Sequence, residues 1–384
     1  MTFTIRFDEN NQELMLAGCM RPHGAEDLGE FRQIFARALR ASSGTLYLNA
    51  KRLAQLNSVG FREIAGLVRA ACEAKPDLKI SVITSSFVGW SARKFGMLRD
   101  ISPNVAVVLY DEEFYPGQEA LEDPGIIPIL RTQTKMAWHH ERQILPRHGL
   151  EKGMAVADIC CGIGDFAVLL QKEFAPSRLL ALDHAKSSLA YARKVAADFN
   201  IQGIEYVHGD ASNLLIADSQ FDFVTCRLSL QIFNRPELIL KELLRICRPG
   251  GRVYVTNEKN SHCLGEPRSA TIQWTYNELA KLFAHMQMDI ELGPKSRRLL
   301  LDGGFEDVKM ESFMVTNLDG DPEDFANVIR AWEAVHAGQW AVQRGDSPEF
   351  LARFHQGYQD HIAAALHPKG YAGWPIWVAS GRKP

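Results

Sequence analysis

Asp158-Ile159-Cys160-Cys161-Gly162-Ile163-Gly164-Asp165-Phe166, preceded by Gly153-Met154-Ala155-Val156-Ala157, is the stretch that decides the fold. The apolar run up to Ile159 reads as a buried strand, the glycines as a turn, and the residues from Phe166 as a helix. Glycine has no Cβ, so Gly162 and Gly164 let the backbone bend sharply and bring its amides close to a ligand. The helix opening near Asp165 points its free N–H groups at the same spot. A second strand, 179–182, ends on Asp183, about twenty residues after the turn, where a carboxylate in a doubly wound α/β fold reaches the two hydroxyls of a ribose. A further polar strand end follows at Asp210. The ordered series predicts a site for a nucleotide-type cofactor.

Outward from this turn, apolar strands at 204–207, 221–226 and 252–256 alternate with amphipathic helices at 166–173, 187–199 and 236–247. Such alternation means a parallel sheet covered on both faces. Segments 261–292 and 321–366 read mainly as helices inserted around 299–315, and a final strand is expected at 374–380. Toward the amino terminus, 3–7 and 13–18 read as a hairpin about Asn10-Asn11. Helices at 26–40, 61–74 and 88–99 and strands at 46–48, 79–84 and 105–109 complete a small mixed α/β domain. Pro116-Gly117, Pro124-Gly125 and Pro128 punctuate a linker, and a helix is expected over 132–145. The organisation is therefore a first domain over 1–115, a linker over 116–130 and a second domain over 131–384.

A chain of 384 residues is long for one core, which agrees with two domains. A net charge of −3 provides no basic field for a polyanion, so nucleic acid is not an expected partner. The start, from Met1 to Glu9, is charged and alternating, unlike a secretory leader. No apolar run is long enough to span a bilayer, and the cytoplasm is the expected location. The seven cysteines, at 19, 72, 160, 161, 226, 247 and 263, are odd in number and lie mostly in apolar patterns. Reduced thiols are expected, not a disulfide framework. Cys160 and Cys161 lack the spacer of a zinc knuckle and point to opposite faces, so no metal site is expected.

From about residue 130 to the end, the chain resembles the class I S-adenosylmethionine-dependent methyltransferases. Asp158 to Asp165 is similar to their acidic-x-Gly-x-Gly-x-Gly turn, particularly the Cys-Cys-Gly-x-Gly-Asp form of quinone C-methyltransferases, with Cys160 where most members have the first glycine. Asp183 matches the ribose-binding acid and Gly209-Asp210-Ala211 the adenine loop. Phe221 to Val224 with Cys226 and Arg227 resembles the fourth strand and the loop beside the methionine moiety. Arg248-Pro249-Gly250-Gly251-Arg252-Val253 resembles the turn before strand five, and Gly303 to Val308 the approach to strand six. The resemblance implies a Rossmann-like domain with a seven-stranded, mostly parallel sheet, helices on both faces and helical lid insertions. It implies S-adenosylmethionine as cofactor, held by Asp158, Cys160, Gly162, Gly164, Asp183, His184, Asp210, Ala211, Cys226 and Arg227, and a small-molecule methyl acceptor. No catalytic base is assigned. An NAD-dependent oxidoreductase shares the turn and the acid, but it has no reason to carry the Arg248–Gly251 turn or the Phe305–Val308 approach. A non-catalytic regulator that only senses S-adenosylmethionine is a third reading.

The residues before Pro116 resemble a STAS domain, the fold of bacterial anti-sigma-factor antagonists, through the hairpin, helix, strand order and through Leu56-Asn57-Ser58-Val59-Gly60. Ser58 falls at that family's phosphoacceptor, although Asn57 replaces the usual acid and Val59 the second serine. The resemblance implies regulation or docking to a protein partner. Alternatively, Asn57 or Ser58 is the N-cap of the following helix. In the inserted helices, Trp274, Tyr276, Phe283, Trp332, Tyr358 and their neighbours could line an acceptor lid, while their helical spacing also suits a core. Trp138-His139-His140-Glu141, on the helix before the turn, could close the cofactor site or simply face core and solvent in turn.

Overall fold

The computed structural model describes residues 2–85, 90–110 and 127–384. They fall into two compact units, the first formed by the residues up to Tyr110 together with Ser212–Gln220, the second by the remainder. Residues 116–126 of the expected 116–130 linker and 88–89 of the expected 88–99 helix lie outside the described residues.

In the first unit, strands β1 (Thr2–Asp8) and β2 (Glu13–Met20) form an antiparallel hairpin in which Ile5 faces Leu16. Its turn is fixed by Asp8, whose carboxylate accepts from the N–H groups of Asn10 and Asn11. Then come α1 (Gly29–Ala41), β3 (Thr45–Leu56), α2 (Ser58–Ala74), β4 (Lys79–Ser85), α3 (Ser91–Gly96) and β5 (Val105–Tyr110). The strands lie in the order β1-β2-β3-β4-β5, parallel from β2 onward. Phe31, Phe35 and Ala38 recur at helical spacing on the buried face of α1, where they join Leu14, Leu48, Ile64, Val68 and Val82 in one core. Asn57 is the N-cap of α2: its Oδ1 accepts from Gly60 N–H at 2.9 Å and its Nδ2 donates to the Pro22 carbonyl at 2.8 Å. Ser58 follows as the first helical residue and is exposed. Ser212–Gln220 is held to this unit by an Arg6–Asp218 ion pair of 2.6 Å and by Asn213 Nδ2 donating to the Lys51 carbonyl at 3.1 Å.

The second unit runs α4 (Ile127–Arg147), β6 (Ala155–Ile159), α5 (Asp165–Phe174), β7 (Arg178–Asp183), α6 (Lys186–Asp198), β8 (Ile204–His208), β9 (Phe221–Arg227), α7 (Pro236–Ile246) and β10 (Cys247–Glu258). It continues with β11 (Leu264–Glu266), α8 (Ala270–His285), α9 (Ser296–Asp302), β12 (Glu306–Thr316), α10 (Pro322–Val335), α11 (Ala341–Arg344), α12 (Pro348–Leu366) and β13 (Tyr371–Arg382). The sheet order β8-β7-β6-β9-β10 is parallel throughout, and β13 then pairs antiparallel with β10, β11 and β12. Among the described residues the sheet is thus mixed and eight-stranded, correcting the expected seven-stranded, mostly parallel one. β11 lies in a segment read as helical; at three residues it is too short to display any period, and only its pairing with 371–373 makes it a strand.

Successive strands progress from β6 through β7 to β8 on one side and from β9 to β10 on the other, so the order reverses between β6 and β9. A crevice opens at the carboxyl ends of strands at such a reversal. Several residues of the predicted motifs serve this frame. Asp222 accepts from Ala155 N–H at 2.8 Å and pairs with Arg248 at 2.7 Å, tying the starts of β6 and β9 to the turn ahead of the main run of β10. Most of the inserted aromatics are core: Tyr276, Phe325, Phe354, Tyr358 and Trp374 are fully buried in one cluster built by α8, α10, α12 and β13.

Candidate cofactor and acceptor site

The glycine turn stands at the end of β6, with Cys160, Gly162 and Gly164 all in the left-handed region at φ +62, +55 and +77°. At Gly164, the N-cap of α5, a Cβ would lie 2.6 Å from that of Ala192 and 3.1 Å from the Tyr206 ring, so glycine is required twice over. At Gly162 a Cβ would meet nothing within 4 Å, because this residue faces open space. The turn is held by Cys161 N–H donating to the Leu182 carbonyl and Gly164 N–H to the Cys161 carbonyl.

Asp183, at the end of β7, accepts from Gly162 N–H at 2.7 Å through one oxygen and from Ala185 N–H at 2.9 Å through the other. Burial raises its pKa, and these two bonds work against the rise. Each carboxylate oxygen retains a further lone pair for a hydroxyl donor. Asp158 is buried under the turn; its Oδ1 accepts from Thr225 Oγ1 at 2.7 Å, while among the described residues its Oδ2 has no partner. Desolvation pushes this carboxyl up to about 7.

These groups line one side of a cavity of about 300 Å³. Of the ten predicted cofactor residues, Asp158, Cys160, Gly162, Asp183, His184, Ala211 and Arg227 line it. Gly164, Asp210 and Cys226 do not: Gly164 is turned onto Ala192, Asp210 is buried between the lining residues Gly209 and Ala211, and Cys226 lies wholly inside β9 with its thiol against that of Cys160. The fit to a ribose-bearing sulfonium cofactor rests on the open face of Gly162, the pre-aligned carboxylate of Asp183 and the unpartnered oxygen of Asp158.

Residues 156–251 match the sequence profile of a methyltransferase domain. The chain is similar to demethylmenaquinone methyltransferase of Oceanobacillus iheyensis, 24% identical over 198 residues that make up 48% of this chain and 82% of that protein. It is likewise similar to the enzyme of that name in Staphylococcus aureus, 27% identical over 200 residues, 48% of this chain and 80% of that one. Among solved structures it resembles phosphoethanolamine N-methyltransferase 2 of Haemonchus contortus in complex with S-adenosyl-L-methionine, at 16% identity and a TM-score of 0.46 over 91% of this chain and 87% of that chain. The chain carries an S-adenosylmethionine-dependent methyltransferase domain at 156–251.

The other side of the methyltransferase cavity is built from residues that carry no motif. Ile232, Phe233, Phe283, Ile290, Trp332 and Val335 make an apolar wall, and His336 stands among them. Desolvation drives the His336 imidazole down to about 3, and its Nδ1 is 3.0 Å from the Tyr358 hydroxyl, so it stays neutral near pH 7. Glu258, which ends β10, also lines the cavity and went unnoticed in the sequence. The signal available for it was one of position: like Asp183, it is an acid at the end of a parallel strand. Arg227 is fixed from behind by Glu141 of α4, in a two-pronged pair whose Nε–Oε1 arm is 2.9 Å, and its guanidinium lies 4.0 Å above the Phe166 ring. In the Trp138–Glu141 quartet, therefore, Glu141 reaches the site through Arg227, while Trp138 packs on Phe166 and Phe174.

Proposed function

We propose that this methyltransferase acts on a small, largely apolar organic acceptor bound beside the cofactor. The observation that carries the reading is the two-sided cavity, with the glycine turn, Asp158 and Asp183 on one side and Phe233, Phe283, Trp332 and Val335 on the other. Bound there, S-adenosylmethionine supplies a methyl group on a sulfonium, already activated for transfer. The protein's own work is to hold and align. Asp183 and Gly162 offer acceptors and an open backbone for the ribose and its neighbourhood, Arg227 and Asp158 set the charge under the turn, and the apolar wall orients the acceptor and keeps water out. Orientation of that kind supplies on the order of 7 to 11 kcal/mol of barrier lowering. That two similar proteins are named for a quinone-type acceptor supports an apolar ring compound over a protein side chain.

The seven predicted cofactor residues that line the cavity belong to this proposal, as does a cytoplasmic site of action. So does a regulatory or partner-docking role for the first unit, resting on its resemblance to a STAS domain and on an exposed Ser58. No helix among the described residues is long and apolar enough to cross a membrane.

The test is calorimetric binding of S-adenosylmethionine followed by transfer of its labelled methyl group to a cell extract. Binding is expected to weaken about 10- to 100-fold in Asp183→Ala, the loss of one or more hydrogen bonds to a charged acceptor. Label is expected in the organic-soluble fraction. Label in protein alone would refute the small-molecule acceptor, and binding without any transfer would turn the reading toward a cofactor-sensing regulator.

A further inference from the structure

Four carboxyl groups line the methyltransferase cavity, and three are committed to its cofactor side. Asp183 accepts two backbone N–H bonds, Asp165 pairs with Arg131 at 3.3 Å, and Asp158 lies beneath the turn with Thr225. The fourth, Glu258, sits at the end of β10, next to the loop that carries Gln231 and Ile232, in a different setting. It is 5% exposed, and among the described residues it has no cationic partner. Gln231 grips it from both ends: the Glu258 N–H donates to Gln231 Oε1 at 2.7 Å, and Gln231 Nε2 donates to Glu258 Oε2 at 2.8 Å. The first bond fixes which end of the amide is oxygen, so the second must present a donor to the carboxylate. Gln231 is itself anchored, its carbonyl accepting from Asp289 N–H at 2.8 Å. Glu258 Oε1 is left with one long contact, to Gln133 Nε2 at 3.5 Å.

A merely structural clamp would work as well with glutamine at this position and without the cost of burying an unpaired acid. An oriented, under-satisfied carboxyl facing a mostly apolar acceptor wall is what proton abstraction requires. We propose that Glu258 is the general base that removes a proton from the acceptor. This rests on the methyl-transfer reading given above.

The step balances. The acceptor's O–H or C–H bond breaks, its proton passes to Glu258 Oε1, and the electron pair left behind forms the new bond to the methyl carbon. The bond from that carbon to sulfur breaks with its pair remaining on sulfur. The bound proton then leaves to solvent with the product. Gln231 is the positioning residue. Desolvation, opposed by the Gln231 hydrogen bond, places the Glu258 carboxyl at about 7, where a general base works best at neutral pH. The titratable groups that feel its charge, Cys263 and Tyr276, are both pushed far up by burial and stay neutral. His336 is too weak a base for the task.

The experiment compares the full chain with Glu258→Gln and Glu258→Asp. Calorimetry with S-adenosylmethionine should give dissociation constants within about twofold of one another, which also shows that the variants are folded. Transfer of labelled methyl to extract, and to 2-naphthol as a phenol probe, should fall by about 10²- to 10⁴-fold in Glu258→Gln, recover in part in Glu258→Asp, and lose the rising limb of the pH–rate profile near neutrality. Infrared difference spectra between about pH 5.5 and about pH 8.5 should show a carboxyl-to-carboxylate band that is clearly smaller in Glu258→Gln than in the wild type, the remainder belonging to Asp158, whose carboxyl also lies at about 7. Wild-type rate and pH profile in Glu258→Gln would overturn the proposal, and so would identical infrared differences in the two proteins. Failure of the wild type to bind S-adenosylmethionine would instead overturn the underlying reading of methyl transfer, a result the calorimetry reports separately.

Discussion

Asp183 accepts two backbone hydrogen bonds from the very turn it faces, so its carboxylate is aimed before any ligand arrives, and less ordering remains to be done on binding. Gly164 is the corresponding fixed point on the other side of the turn. Gly164→Ala combines a left-handed backbone with a 2.6 Å clash against Ala192. We expect a loss of about 2 to 4 kcal/mol in denaturant-derived stability, and cofactor binding weakened along with it. A variant as stable as the wild type would show that the turn can relax. Glu258 makes a pH-dependent prediction. Its carboxyl is raised from the ordinary glutamate range to about 7, so the stability tied to its neutral form is complete below about pH 4.5 and is lost as pH rises through 7. That loss is on the order of 3 kcal/mol. Glu258→Gln removes it, so the variant should gain on the wild type between pH 5 and pH 8 in urea titrations; a constant difference across that range would contradict it.

Between elements, a buried ion pair joins the apolar packing of Ile144 and Leu145 on Phe223 and Tyr254 in holding α4 against β9 and β10. Glu141 is fully buried, bonded to Arg227 and within 3.2 Å of the Tyr254 hydroxyl, which donates to it. Removing one partner of such a pair strands the other charge. Glu141→Ala is therefore expected to cost about 3 to 5 kcal/mol, measured by denaturant unfolding, and to loosen cofactor binding by freeing Arg227. At this scale the sequence was readable wherever periods were long. The strand–turn–helix at 155–174 and the β7–α6–β8 unit stand within a residue or two of their expected places, because five-residue apolar runs and amphipathic helices advertise themselves. β11 was not readable, being defined by its partner alone. Glu258 and Gln231 escaped for a related reason: an isolated glutamate and an isolated glutamine carry no spacing, and only the fold brings β10 and the loop after β9 together. Arg248 and Asp222 were legible as family motifs, yet their pairing shows that they serve the frame of the sheet.

Among the described residues, the buried hydrophobics collect in separate cores. One lies wholly within the first unit, and those of the second unit are divided between the sheet and the inserted helices. The change of composition near residue 115 is where a linear reading places a domain boundary. What a linear reading could not show is that Ser212–Gln220, about a hundred residues further on, is part of the first unit. Substituting Asp218→Asn, which breaks its 2.6 Å pair with the half-exposed Arg6, should cost the first unit about 1 kcal/mol or less by thermal unfolding. A larger loss would mean that this segment is a principal support.

The same detour bears on how the protein could be taken apart or recombined. A chain that visits one body, leaves for a second, returns and leaves again cannot be divided into its two bodies with a single scission. A gene fragment stopping at residue 114 omits nine residues of the first body, and its complement still carries them. Inheritance of the two halves as independent modules would therefore require two joints to move together, which binds their evolutionary fates more tightly than a simple tandem fusion would.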